Sequence, residues 1–210
     1  MTFSIVACDP ETGAWGVGAA SKYLAVGSMV PAARADAGAL ATQAYTNASF
    51  RPLGLSALRE GRSAGETLDA LLSQDSGRAA RQVGIVDGRG RSALWTGSDC
   101  STYAGGARGD GYVVLGNLLT GPQVITAMEN AWTGGDPEQS LAHRLWAVLR
   151  AGEEAGGDRR GRQSAAILVA RRGSDYILGT DIEIDLRVDD HDFPLTELGR
   201  LLELRYGAPP

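Results

Sequence analysis

At 210 residues, with 43% hydrophobic residues, 21% charged residues and a formal net charge of −5, the chain has the make-up of a globular protein long enough to bury a substantial core, and it is expected to form one domain over 1–210. No basic arm or Lys/Arg block is present, which argues against a nucleic-acid partner, and no apolar run approaches the ~20 residues of a membrane helix. Met1-Thr2-Phe3-Ser4-Ile5-Val6 lacks the basic and apolar regions of a signal peptide, and Cys8 and Cys100 form neither a disulfide framework nor a CxxC, so a cytoplasmic setting is expected.

In chain order, the apolar run Phe3–Cys8, the turn Asp9-Pro10-Glu11-Thr12-Gly13 and the run Trp15–Ala20 predict an N-terminal β-hairpin. A loop through Gly27 leads to Val30-Pro31, and Gly38–Tyr45 reads as a third strand. Pro52 begins a short helical stretch with Leu55 and Leu58. Ser63-Ala64-Gly65-Glu66 has capping-box spacing ahead of Leu68, Leu71 and Leu72 on one face. Arg81–Val86 and Arg91–Thr96 flank a Gly-containing turn and predict a second hairpin. The glycine-rich segment 97–111 reads as turns, and Tyr112–Leu115 as a strand ended by Gly116-Asn117.

Pro122 predicts the first residue of a helix carrying Val124, Ile125 and Met128, and Asp136-Pro137 the start of another with Leu141, Leu145, Val148 and Leu149 on one stripe. That helix should stop at Gly156-Gly157. Ala166–Ala170 reads as a strand with Asp175–Leu178 as its partner, and Pro194 opens a last helix with Leu195, Leu198, Leu201 and Leu202. Strands, two helices, strands, two helices, strands and a helix, with hairpins dominant, predict an α+β protein of mostly antiparallel sheets with helices packed outside.

The richest chemistry lies in Gly156-Gly157-Asp158-Arg159-Arg160-Gly161-Arg162-Gln163-Ser164, directly ahead of an apolar strand. Glycine lets backbone approach a ligand, and polar groups at a strand mouth can line a cleft. Asp158, Arg160, Gln163 and Ser164 are candidates to bind the polar end of a substrate, an arginine fork suiting a carboxylate; the alternative is that Asp158 and an arginine pair to shape the loop. Of the 20 Lys and Arg residues only Lys22 is a lysine. Asn117 and Asn47 are candidate amide donors, each also a turn residue by type. The run Asp189-Asp190-His191-Asp192 is consecutive, so alternate side chains diverge; no metal or cofactor is expected, and Asp192 reads as a helix-start residue. His143 reads as a solvated surface histidine, Cys8 as core and Cys100 as a weak candidate for a reactive thiol. Trp95, Trp132 and Trp146 suit a core or an interface, and a symmetric homodimer is the expected assembly.

The segments Thr2–Ala7, Ser21–Ser28, Thr42-Gln43, Gly116-Asn117, Gly156–Ala166 and Asp185–His191 resemble a bacterial family of uncharacterised proteins, domain-of-unknown-function family 1028, grouped with the N-terminal-nucleophile (Ntn) hydrolases. The resemblance implies a four-layer αββα sandwich and no established substrate. It departs near Gly106, where a histidine is expected and Arg108 is the candidate replacement. By the same resemblance Thr2, exposed by removal of Met1, is the candidate nucleophile, with its own α-amine as base. Lys22 would lower a neighbouring pKa, Ser21 would orient it, and Asn117 would donate to an oxyanion. Two functions follow: an amidohydrolase cleaving a C–N bond in a small amide or peptide-like substrate, or a non-catalytic small-molecule binding or assembly protein on the same scaffold.

Overall fold

The computed structural model describes residues 2–174 and 178–207. β1 (Thr2–Asp9) and β2 (Ala14–Ser21) form the expected hairpin, in register from Phe3↔Ala20 to Asp9↔Ala14. β3 (Pro31–Arg34) and β4 (Gly38–Ala44) follow, then α1 (Phe50–Arg59) and α2 (Ala64–Ser73), then β5 (Arg81–Asp87), β6 (Ser92–Thr96), β7 (Gly105–Gly109) and β8 (Tyr112–Asn117). The remaining elements are α3 (Gln123–Thr133), α4 (Leu141–Glu154), β9 (Ser164–Arg171), β10 (Ile182–Val188) and α5 (Pro194–Tyr206).

The strands build two antiparallel sheets, a six-stranded one in the order β10-β9-β2-β1-β8-β7 and a four-stranded one in the order β3-β4-β5-β6. Because β1 and β2 are buried on both faces, their residues are apolar or small apart from Thr2 and Asp9 at the two ends of β1. Alternation then sorts them. Phe3, Ile5 and Ala7 face a core shared with α3, α4 and α5, whereas Val6, Cys8, Val17 and Ala19 meet Ala39, Ala41 and Val86 between the sheets. The outer face of the smaller sheet packs Leu40, Val83 and Ile85 against Phe50 and Leu58 of α1 and Leu68, Leu71 and Leu72 of α2. The layers therefore run helices, sheet, sheet, helices, the αββα sandwich expected.

Local chemistry explains the elements. Ser63 and Glu66 complete a reciprocal capping box at α2. The α4 stripe of Leu145, Val148 and Leu149 is wholly buried. It lies close on β2 because residue 16 is glycine; a Cβ there would stand 2.8 Å from Leu145 Cδ1. Among the described residues no helix is long and apolar enough to cross a membrane.

Several expectations shift. The turn-rich segment contains a strand, β7, held by β8 in the register Gly105↔Gly116. The loop through Gly27 leads at Pro31 into an additional strand, β3, ahead of the one expected from Gly38. The helix expected from Asp136-Pro137 begins at Leu141, where Ser140 caps it by accepting from the His143 N–H; Pro122 sits at the N-cap of α3 rather than inside it. The strand expected over 175–178 falls largely on residues outside the description, with Leu178 in a turn, and the partner of β9 is β10. Phe193, not Asp192, is the N-cap of α5. His143 is half-buried rather than solvated: Ser140 Oγ lies 2.8 Å from its Nδ1, its ring packs 5.4 Å from that of Tyr206, and burial pushes its pKa down.

Candidate active site

The residue alternation that fills the inter-sheet core with apolar groups places polar ones at its end. In the six-stranded sheet Ser164 pairs with Ser21 and Thr2 with Asn117. Thr2 Oγ1 donates to Ser21 Oγ at 3.2 Å across β1 and β2. Ser164, Ser21, Thr2 and Asn117 thus form a buried row across four adjacent strands. Facing it from the smaller sheet are Gln43 and Gln82, paired in register and fully buried.

One hydrogen-bond network joins the two sheets here. Ser4 Oγ donates to Gln43 Oε1 at 2.7 Å. Gln43 Nε2 donates to the Thr2 carbonyl at 3.2 Å and to Gln82 Oε1 at 2.9 Å. Gln82 Oε1 also accepts from Asn117 Nδ2 at 3.0 Å, while its own Nε2 donates to the Gly116 carbonyl at 2.8 Å, Thr96 Oγ1 at 3.0 Å and the Gly105 carbonyl at 3.1 Å. The Gln43 and Gln82 amide orientations follow from their neighbours, since both oxygens meet donors and both nitrogens meet acceptors.

Thr2 and Asn117 open onto a cleft of about 480 Å³, within the ~300–1,000 Å³ of small-molecule sites. Its walls are Tyr23, Val26, Met29 and Val30 after β2, Ala44 and Tyr45 at the end of β4, and Asp99, Cys100, Ser101, Leu118 and Arg160. Leu118 is held from both sides, its N–H donating to the Ser101 carbonyl and its own carbonyl accepting from Arg159 N–H. Of the four non-glycine residues with positive φ among the described residues, Ala44 (67°) and Leu118 (50°) line the cleft and Ala25 (54°) adjoins it. Such backbone costs of order 1–3 kcal/mol per residue and clusters at functional sites. Burial pushes the Cys100 thiol up, which keeps it protonated, and the thiol donates to the Arg81 carbonyl at 3.3 Å.

The 156–164 loop divides its residues between structure and cleft. Asp158 is buried and accepts from the Lys22 N–H at 2.8 Å, the Arg160 N–H at 2.8 Å and Arg160 Nη2 at 3.3 Å, so it shapes the loop and ties it to the end of β2. Ser164 Oγ donates to the Tyr23 carbonyl at 2.5 Å and accepts from the Val26 N–H at 3.0 Å, which fixes one cleft wall. Arg160 reaches the cleft itself. Gln163 instead bonds Asp190, and the exposed Lys22 borders a shallow depression with Arg162, Gln163 and His191, outside the lining of the Thr2 cleft. Asn47 is also elsewhere: it accepts from Ser49 and donates to Asp75. Arg108 donates to the Ser92 carbonyl and does not line the cleft. A second cavity of about 320 Å³ lies beside the 156–164 loop, with Glu153 in its wall; burial pushes the Glu153 carboxyl up, against the pull of Arg162 at 3.2 Å.

Gln43 falls in one of the segments that carry the resemblance, but neither its role nor Gln82 is read from the sequence, because the Thr2 and Asn117 groups they hold lie on the other sheet. The available signal is a glutamine inside a strand that is otherwise apolar. Among the described residues no group of three or more His, Cys, Asp or Glu side chains is placed to hold a metal ion.

A family model described as a family of unknown function (DUF1028) matches residues 2–198, a span that includes every residue of the row and the network. The chain belongs to this family. Among solved structures it is similar to protein SPO2555 from Silicibacter pomeroyi, of the same family, with 35% identity and a TM-score of 0.87 over 97% of this chain and 85% of that one. A more distant likeness, to Anbu (ancestral beta-subunit) from Yersinia bercovieri, has 8% identity and a TM-score of 0.40 over 100% and 99% of the two chains, too low to carry an argument. No curated protein matches.

Proposed function

We propose that this DUF1028 protein is an Ntn-type amidohydrolase that cleaves a C–N bond in a small amide or peptide-like substrate, with Thr2 as nucleophile. The observation that carries the reading is the Thr2 hydroxyl at the start of a central strand, in a row with Ser21 and Asn117 and open to a cleft bordered by strained backbone. The reading requires a free Thr2 α-amine, hence removal of Met1. That amine takes the hydroxyl proton as Oγ1 attacks the substrate carbonyl. Asn117 has two amide hydrogens and commits one to Gln82, so the other is the donor for the oxyanion. The amine then returns the proton to the leaving nitrogen, and water hydrolyses the ester on Thr2. Arg160 at the cleft wall suits a carboxylate on the substrate, and Tyr23, Val26, Met29 and Val30 suit an apolar group beside it. On this reading Lys22 contributes through its backbone bond to Asp158 rather than through its ammonium, and no cofactor takes part.

A specific observation favours the second reading, a binding protein on the same scaffold: the Thr2 hydroxyl donates to another hydroxyl, Ser21 Oγ, and not to a base. The test begins with the intact mass of untagged protein, to establish that Met1 is gone. The protein is then incubated with an α-benzyl β-lactone and the modified residue is located by peptide mass mapping. The expected result is one lactone mass added at Thr2 and none in Thr2→Ala. Equal modification of Thr2→Ala, or none in a sample whose Thr2 amine is free, defeats the hydrolase reading and leaves the binding protein.

A further inference from the structure

We infer that Gln43 and Gln82 are positioning residues that hold the nucleophile and the oxyanion donor in one rigid frame; the inference rests on Thr2 being the nucleophile. The two residues at which chemistry is proposed stand on neighbouring strands of the larger sheet, and each is held by the same pair of amides from the smaller one. Gln43 Nε2 grips the Thr2 carbonyl at 3.2 Å, and Gln82 Oε1, 2.9 Å from that same nitrogen, accepts from Asn117 Nδ2 at 3.0 Å. Gln82 is anchored in turn by the Gly116 and Gly105 carbonyls and Thr96 Oγ1, and Gln43 by the Ser4 hydroxyl.

Neither glutamine lines the cleft, and neither exposes any surface. They can therefore act on a substrate only through Thr2 and Asn117. The Thr2 backbone is the lever: holding its carbonyl fixes the plane of the peptide to Phe3 and the position of the Thr2 Cα, from which both the α-amine and the Oγ1 arm project, and the bond from Oγ1 to Ser21 sets the rotation about that anchor. A chain terminus frays unless it is tied down, and a displacement of about 1 Å at a reacting group can cost on the order of 100-fold in rate. Orienting the Asn117 amide through Gln82 sets the second half of the geometry.

The test uses the α-benzyl β-lactone, whose reaction balances without a further reactant. Thr2 Oγ1 bonds to the lactone carbonyl carbon, the acyl–oxygen bond of the ring breaks, and the ring oxygen leaves as a hydroxyl carrying the proton that Thr2 gave up. Rates against lactone concentration separate the affinity of encounter from the maximal acylation rate. Gln43→Met should lower the maximal rate tenfold or more and leave the half-saturating concentration within about twofold, since no cleft residue changes. Ser4→Ala, which removes only the anchor of Gln43, should lower it less. Gln43→Glu gives a readout that a merely structural role does not move. Its buried acid is ionised at high pH and donates nothing. Protonated at lower pH, it regains one O–H donor for the Thr2 carbonyl, so its rate relative to the unaltered protein at each pH should rise as pH falls. The inference is overturned alone if the unaltered protein is acylated at Thr2 and folded Gln43→Met and Ser4→Ala match its maximal rate, or if the Gln43→Glu ratio is flat with pH. An unaltered protein with a free Thr2 amine that is never acylated overturns it together with the hydrolase reading.

Discussion

Replacing Gln82 with methionine keeps the length of the side chain and deletes every polar contact at the centre of the network. Gln82 is fully buried and meets five partners, three acceptors sharing the two Nε2 hydrogens and two donors on Oε1. Gln43 keeps its bond to the Thr2 carbonyl, and Thr96 can turn its hydroxyl. The Asn117 amide hydrogen, the Gly116 carbonyl and the Gly105 carbonyl lose the partners at 3.0, 2.8 and 3.1 Å, the first two on buried residues and the third on a half-buried one. Each buried polar group left unpaired costs about 1–3 kcal/mol, so the two on buried residues give about 2–6 kcal/mol, a large part of the ~5–15 kcal/mol that holds a typical domain. Urea unfolding followed by circular dichroism should show the midpoint falling with an unchanged slope, and a loss near ~4 kcal/mol should lower Tm by roughly 8–16 °C in a chain of this size. Gln74→Met, at an exposed position ending α2, is the control and should stay within about 0.5 kcal/mol. A loss below about 1 kcal/mol in Gln82→Met at equal slope would refute the reasoning, because it would mean that other donors and acceptors replace the amide at no cost.

Three further outcomes follow from the geometry. The Arg81 guanidinium, 2.7 Å from Asp75, with the Gly77 N–H, holds the Asp75 carboxyl at about 2 instead of 3.8. A folded-state pKa below the unfolded one stabilises above the unfolded value, and that stability is lost as pH falls through the folded one; stability should therefore drop between pH ~4 and ~2, and Asp75→Asn should flatten that limb in urea titrations. Burial and the nearby Asp9 push the Cys8 thiol up to about 11, and burial raises that of Cys100, so iodoacetamide at pH 7 should label neither in the folded protein, as read by intact mass; prompt labelling of Cys100 would contradict its placement. A Cβ on Gly27 would stand 2.5 Å from Ala166 Cβ and 2.8 Å from Arg187 Cγ, whereas one on Gly65 meets nothing within 4 Å. Gly27→Ala should cost about 1–3 kcal/mol, and Gly65→Ala, in α2, should gain up to about 1 kcal/mol, both by denaturant melts.

Legibility followed the range of the interactions. The N-terminal hairpin, the Ser63–Glu66 box and the Leu145–Leu149 stripe are written in neighbouring residues, and they stand where the sequence puts them. β7 is Gly105-Gly106-Ala107-Arg108-Gly109, with almost no strand propensity of its own; it is a strand because β8 offers an edge to pair with. β10 carries a plain signal, Ile182, Ile184, Leu186 and Val188 alternating with Glu183, Asp185 and Arg187, and reading a hairpin partner closer to β9 obscured it. At the site, Thr2, Ser21, Asn117 and Ser164 are legible one at a time as polar residues at strand ends, but their row exists only in the register of four strands. Gln43 and Gln82 require knowing which face of β4 and β5 meets the other sheet.

That dependence on packing bears on why the polar end of the core exists. Between the sheets, Val6, Val17, Ala41, Val86 and Leu115 seal the interior without a hydrogen bond among their side chains. Continuing that pattern to the strand ends would close the sandwich with apolar residues, and replacing both partners of a buried hydrogen bond by apolar groups of similar shape is close to neutral for stability. The chain instead buries Ser4, Gln43, Gln82 and Asn117 there, satisfies them through one another, and surrounds them with left-handed residues at Ala25, Ala44 and Leu118. Stability alone gives no reason to accept both the buried amides and the strained backbone. A fixed geometry at Thr2 and Asn117 does, because a fully satisfied amide network specifies one arrangement where an apolar plug would tolerate several.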